Sequence, residues 1–211
     1  MKEIFNKPLR ALLLSICVFC FFPAFALEVE IAGINYELDT DAKTATVIAN
    51  RKVAKYSGKV IVPETVVHNN ITYSVTAIGD YAFEKSHALS SVSLPNNLRS
   101  VGPGAFKGCT ALTNITIPNN VKLIGHNAFT GCVALTSVKI GKDLESIGAE
   151  AFSACDNLRD FRCYSTKVPS TEENVFDVHE KATLHVKKKM VKKFKNADSW
   201  RAFAKIMVIN P

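Results

Sequence analysis

Residues 113–132 read Thr-Asn-Ile-Thr-Ile-Pro-Asn-Asn-Val-Lys-Leu-Ile-Gly-His-Asn-Ala-Phe-Thr-Gly-Cys, and almost every position has a physical assignment. Ile115 and Ile117 alternate with Asn114 and Thr116, the two-residue period that sends apolar side chains to one face of a short strand. Pro118 stops that strand, and Asn119-Asn120 forms a turn leading to Val121 and the Ile124-Gly125 bend. Ala128-Phe129 then forms an opposite wall, irregular or a single helical turn, with the phenylalanine filling the middle.

The same letters recur along the chain. Ala-Phe stands at 82–83, 105–106, 128–129 and 151–152, a step of 23 residues each time. Gly79, Gly102, Gly125 and Gly148 precede the phenylalanines by four places. Leu89, Leu112, Leu135 and Leu158 follow them by six. Alternating apolar pairs come next: Val92 and Leu94, Ile115 and Ile117, Val138 and Ile140, Phe161 and Cys163. A unit of this length cannot bury both its strand face and its phenylalanine alone, so the units must stack as successive coils of one solenoid.

The full pattern, L-x-x-I-x-I-P-x-x-V-x-x-I-G-x-x-A-F-x-x-C-x-x-L, resembles the BspA-type leucine-rich repeat of bacterial cell-surface and secreted proteins. That resemblance implies a strand-dominated leucine-rich-repeat solenoid of the α/β class. Its short parallel strands would stack in a right-handed coil, with a β-hairpin cap before them and a helix/strand cap after. Four 23-residue repeats occupy 76–164. Residues 27–75 form the N-terminal cap, a β-hairpin of Glu28 to Leu38 with Thr44 to Ala49, followed by a first, atypical repeat in which Lys59-Val60-Ile61-Val62-Pro63 supplies the strand. Residues 165–211 form the C-terminal cap. Within it Val175-Phe176 reads as a remnant of the Ala-Phe pair and Thr183–Val186 as a strand. Trp200, Phe203, Ile206 and Val208 close the stack.

Ahead of the caps, Lys2, Lys7 and Arg10 precede an apolar run, Ala11 to Phe22, and Ala24-Phe25-Ala26 supplies small residues at a peptidase site. Residues 1–26 therefore read as a signal peptide with the mature chain starting at Leu27. A run of about 12 residues is short for a bilayer-spanning helix, and no second apolar stretch follows, so no transmembrane span is expected in the mature chain.

Net charge is +7, with twelve basic and six acidic residues after position 158. The stretch 27–158 is close to neutral, which removes most support for specific nucleic-acid binding. The basic residues concentrate at Lys187, Lys188, Lys189, Lys192, Lys193 and Lys195. Interleaved with Met190, Val191 and Phe194, they read as the solvated face of an amphipathic capping helix; contact with an anionic surface is the functional alternative.

Cys109, Cys132 and Cys155 occupy one register position. Equivalent residues of adjacent coils point the same way, whereas a disulfide or a zinc site needs side chains that converge. These cysteines are expected to be buried free thiols. No metal-ligand spacing, nucleophile motif or phosphate loop is present, so neither cofactor nor catalytic site is expected. The strand residues that alternate outward, Ser91, Ser93, Asn114, Thr116, Ser137, Lys139, Asp160 and Arg162, form the candidate binding strip. The resemblance implies an exported, non-enzymatic module for adhesion to or recognition of a protein or glycan on a host or neighbouring cell. The alternative is a structural subunit of a surface assembly joined through its caps or edges.

Overall fold

The computed structural model of the chain describes residues 26–50, 55–177 and 181–209; the segment up to Phe25, read above as a signal peptide, lies outside them. The 23-residue period becomes a physical repeat through ladders of backbone hydrogen bonds between consecutive coils. The strand carrying the alternating apolar pair appears as β7 (Leu89–Ser93), β9 (Asn114–Ile117), β11 (Ser137–Ile140) and β13 (Asp160–Cys163). β9, β11 and β13 pair in parallel in strict register, Asn114 beside Ser137 and Ser137 beside Asp160. A second parallel ladder forms before the Gly column, where β8 (Ser100–Val101), β10 (Leu123–Ile124) and β12 (Ser146–Ile147) lie side by side. Along the Ala-Phe wall, the N–H groups of Phe83, Phe106 and Phe129 donate to the carbonyls of Ala105, Ala128 and Ala151 at 2.7–2.8 Å. The backbone is thus tied to its neighbours on every side of the coil, as buried polar backbone demands.

Inside, Phe83, Phe106, Phe129 and Phe152 stack with ring centroids 5.0, 5.1 and 5.1 Å apart and planes within 5° of parallel. The spacing follows the strand repeat of about 4.8 Å. Phe176 continues the column 5.7 Å beyond Phe152, so the remnant Val175-Phe176 keeps its structural place. Phe161 meets Phe152 and Phe176 edge-on. Trp200 and Phe203 seal that end, with the Trp200 indole N–H donating to the Pro169 carbonyl at 3.1 Å. At the opposite end Tyr56 covers Phe83, its centroid 4.7 Å away.

The bends have a clear division of labour. Gly102, Gly125 and Gly148 lie where a side chain would collide with the preceding coil: a Cβ on Gly125 would stand 2.5 Å from the Pro103 nitrogen. Close approach, rather than an unusual backbone angle, requires glycine there. The left-handed turns fall two residues later, at Tyr81, Gly104, Asn127 and Glu150, and again at Lys85, Gly108, Gly131 and Ala154.

The caps depart from expectation in detail. The N-terminal segment 28–38 divides at Ala32-Gly33, both in the left-handed region. The cap is therefore a three-strand antiparallel meander: β1 (Leu27–Ile31), β2 (Ile34–Asp39) and β3 (Thr44–Val47). β4 (Gly58–Ile61) pairs in parallel with β7. The extra residues before Ile78 form a hairpin of β5 (Thr65–His68) with β6 (Ile71–Ile78). After β14 (Ser170–Thr171) and β15 (Thr183–Val186) comes a 3₁₀ turn at Lys188–Met190, then α1 (Val191–Lys195) and α2 (Asp198–Arg201). A final strand β16 (Lys205–Val208), not foreseen, adds in parallel to β15. That pairing corrects the assignment of one closing residue: Ile206 packs half-buried against the core, but Val208 is exposed on the strand.

Candidate recognition surface

Parallel register converts the outward strand positions into two side-chain files. One runs Asn114, Ser137, Asp160, Thr183, Lys205; the other runs Thr116, Lys139, Arg162, His185, Met207. Ser91 and Ser93 do not join them through the ladder, because β7 pairs with β4 and places these serines beside Lys59 and Ile61. The expected strip therefore has a paired backbone only from β9 onward, with β7 lying against β9 outside that ladder. It is also longer at the other end, by Thr183, His185 and the two β16 residues. His185 was within reach of the sequence, standing 23 residues after Arg162 in a segment already read as a strand.

Asp160 organises the charged end. Its Oδ2 accepts from Arg162 Nε at 2.8 Å and from the Ser137 hydroxyl at 3.3 Å. Oδ1 has no hydrogen-bond partner among the described residues, with His185 Nε2 at 3.4 Å outside bonding geometry. The hydrogen bond and charge of Asp160, then Tyr164, hold Arg162 above its ordinary pKa. Lys139, by contrast, is exposed and makes no ion pair among the described residues.

Two concave features flank the Asn-Asn turns. On the strip side, a cavity of about 370 Å³ is lined by Asn96, Thr116, Asn119, Lys139, Gly141 and Tyr164 among others. On the other side, a groove of about 620 Å³ runs past Thr76, Asn97, Arg99, Asn120, Lys122 and Asp143, where Lys122 is tied to Glu145 at 2.9 Å. Glu64 fixes the turn between them. Its carboxylate accepts from the Asn96 and Asn97 backbone N–H groups at 2.9 and 3.1 Å and from the Asn96 amide at 2.9 Å. Those bonds, led by the one from the Asn96 backbone, lower its pKa. Tyr164 escaped the sequence reading because the repeat decays after Cys163. Its signal is that it holds the strand-stopping slot of Pro95, Pro118 and Gly141.

Cys109, Cys132, Cys155 and Cys163 are free and buried. Each repeat thiol donates to a phenylalanine carbonyl of the preceding coil: Cys109 to Phe83, Cys132 to Phe106 and Cys155 to Phe129, at 3.1–3.3 Å. Burial pushes Cys109 and Cys155 up to about 12 and raises Cys132 as well, the opposite of what a nucleophile needs. Among the described residues no cluster of three or more His, Cys, Asp or Glu could hold a metal ion, and no helix is long and apolar enough to cross a membrane. Of the lysine cluster, Lys188, Lys189, Lys192, Lys193 and Lys195 are exposed and Lys187 half-buried, while Met190 and Phe194 point into the core. Lys192, Lys193 and Lys195 end α1, where the helix dipole favours cations.

The stacked phenylalanines, the in-register strands and the recurring Gly and Cys positions coincide with a described repeat. Residues 68–197 match the profile of the BspA type leucine rich repeat region, in six copies. The chain belongs to this family. Among solved structures the BspA-type chain is similar to a T. pallidum leucine rich repeat protein at 24% identity and a TM-score of 0.63, covering 86% of each chain. It is also similar to a leucine rich cell surface protein from Faecalibacterium prausnitzii, at 23% identity and a TM-score of 0.55, spanning 86% of this chain and 50% of that one. The pneumococcal vaccine antigen PcpA matches at 18% identity and a TM-score of 0.52, over 76% of this chain and 49% of the other. At such identities the likeness carries the fold alone. A search of curated proteins found no match.

Proposed function

We propose that this BspA-type chain is an exported, non-catalytic recognition module that displays its outward strand files to a protein or glycan partner on a host or neighbouring cell. The observation that carries this reading is the register of Asn114, Ser137 and Asp160 beside Thr116, Lys139 and Arg162. Behind these side chains, Ile115, Val138 and Phe161 are fully buried. A side chain anchored to a packed sheet presents its polar end with little freedom left to lose on binding, which favours affinity. The charge pattern at 1–26, Ala24 to Ala26, and the surface location stated for the F. prausnitzii neighbour support export.

The test is to array extracellular-matrix proteins and glycans against the purified chain and a Lys139→Ala/Arg162→Ala variant. Binding that weakens at least about tenfold in the variant, roughly 1.4 kcal/mol, is expected. Unchanged binding removes the strip from the interface, and a blank array removes adhesion.

A second reading, assembly into a surface structure, draws on β16. Among the described residues this strand pairs only with β15 and exposes Met207 and Val208, and an open strand edge templates pairing with another chain. Concentration-dependent self-association lost on Met207→Lys, with no array hit, selects it.

A further inference from the structure

We infer that the cavity beside the strip is a subsite for one acidic sugar residue, a uronic acid unit of a polysaccharide. This deepens the recognition reading above and rests on it.

The cavity draws its walls from four successive coils: Asn96, then Thr116 and Asn119, then Lys139, then Tyr164. Its hydrogen-bonding groups are sorted. The Asn96 amide nitrogen is committed to Glu64, which leaves its Oδ1 as an acceptor. Asn119 is the reverse: its Oδ1 accepts from the Lys142 backbone N–H at 3.2 Å, and its Nδ2 makes no hydrogen bond among the described residues. An acceptor and a donor one coil apart, about 4.8 Å by strand spacing, match hydroxyls on neighbouring ring carbons. The Thr116 hydroxyl adds a group that can do either.

The charge is equally limited. Among the described residues Lys139 is the one cation on the cavity wall, and nearby Arg162 is paired with Asp160 at 2.8 Å. One cation asks for one carboxylate per bound unit, as in a uronate, and not for the dense charge of a sulfated chain. Tyr164 supplies an aromatic wall to cover the apolar face of a ring. At about 370 Å³ the space belongs to the small-ligand range. An acidic peptide would also satisfy Lys139. Its backbone could pair with the two amides, but a polyglutamate chain has no ring face to lay on Tyr164, so the sugar is the better fit.

Binding to polygalacturonate, neutral dextran and poly-glutamate should be measured by calorimetry on the full chain. Polygalacturonate is expected to bind at least tenfold tighter than either control. Affinity should fall at least tenfold in Tyr164→Ala and in Lys139→Gln and be retained in Tyr164→Phe. Lys139 is an exposed surface side chain, so its variant reports on the site even if Tyr164→Ala fails to fold. Equal binding of poly-glutamate, no binding of polygalacturonate, or binding indifferent to Lys139→Gln overturns the inference. If polygalacturonate fails while an array partner still responds to Lys139→Ala/Arg162→Ala, the sugar subsite falls and the recognition module stands; if both are blank, both fall.

Discussion

Ser86 occupies the register position that Cys109, Cys132 and Cys155 fill in later coils, and it is buried with no hydrogen-bond partner for its hydroxyl among the described residues. A thiol tolerates such a site because it behaves as a small apolar group; a hydroxyl loses its water and gains nothing, at about 1–3 kcal/mol. Ser86→Cys is therefore expected to raise the melting temperature by roughly 2–4 °C per kcal/mol recovered. Calorimetry checks it, and a lower melting temperature would contradict the assignment. The same residue shows where letters stop being enough. The Cys-to-Ser exchange was visible in the sequence, but whether Ser86 had found a partner depended on the atypical first coil, which repeat logic does not describe. Tyr164 is a parallel case, since its position followed the period and its chemistry did not.

Among elements, the strand-stopping slot holds Pro95, Pro118 and then Gly141, so restoring proline looks like an improvement by consensus. The local geometry argues the reverse. The Gly141 N–H donates to the Ile117 carbonyl at 3.0 Å, and a Cβ there would sit 2.4 Å from the Asn119 Cα. Gly141→Pro removes the donor and forces two backbones apart, so it should destabilise by on the order of 2 kcal/mol or more, read as a lowered denaturant midpoint. At this scale the strands from β9 to β13 and the phenylalanine column were legible, because burial enforces a period that side chains record. β16 was not. Lys205-Ile206-Met207-Val208 carries no alternation of polar and apolar side chains to mark it as a strand. The missing ladder between β7 and β9 left no mark either, for Ser91 and Ser93 look like any outward pair.

Over the whole molecule, one line of thiols and one of rings share a single dry interior, and that interior resists alkali only up to a point. Cys109 and Cys155 are raised from 9.0 to about 12, and Tyr36 from 10.0 to about 12, chiefly by burial. An acid whose pKa is higher folded than unfolded contributes stability that is complete below the unfolded value and lost as pH climbs towards the folded one. Stability should therefore hold to about pH 9 and decline between 9 and 12. Cys109→Ala/Cys155→Ala should flatten that decline, measured by denaturation midpoints at pH 7, 9 and 11. In the native state at pH 8, Ellman's reagent should label the repeat cysteines only as fast as the chain opens.

The equivalence of successive coils also makes this molecule a ruler with removable divisions. Excising residues 113–135 would join Leu112 to Thr136 with one period missing, and both end pieces would still meet the seats they require. The shortened protein should melt cooperatively, and a molten product by circular dichroism would refute this. Chains of differing reach can thus arise by gain or loss of whole divisions, each keeping its ends while changing which side chains come together between them.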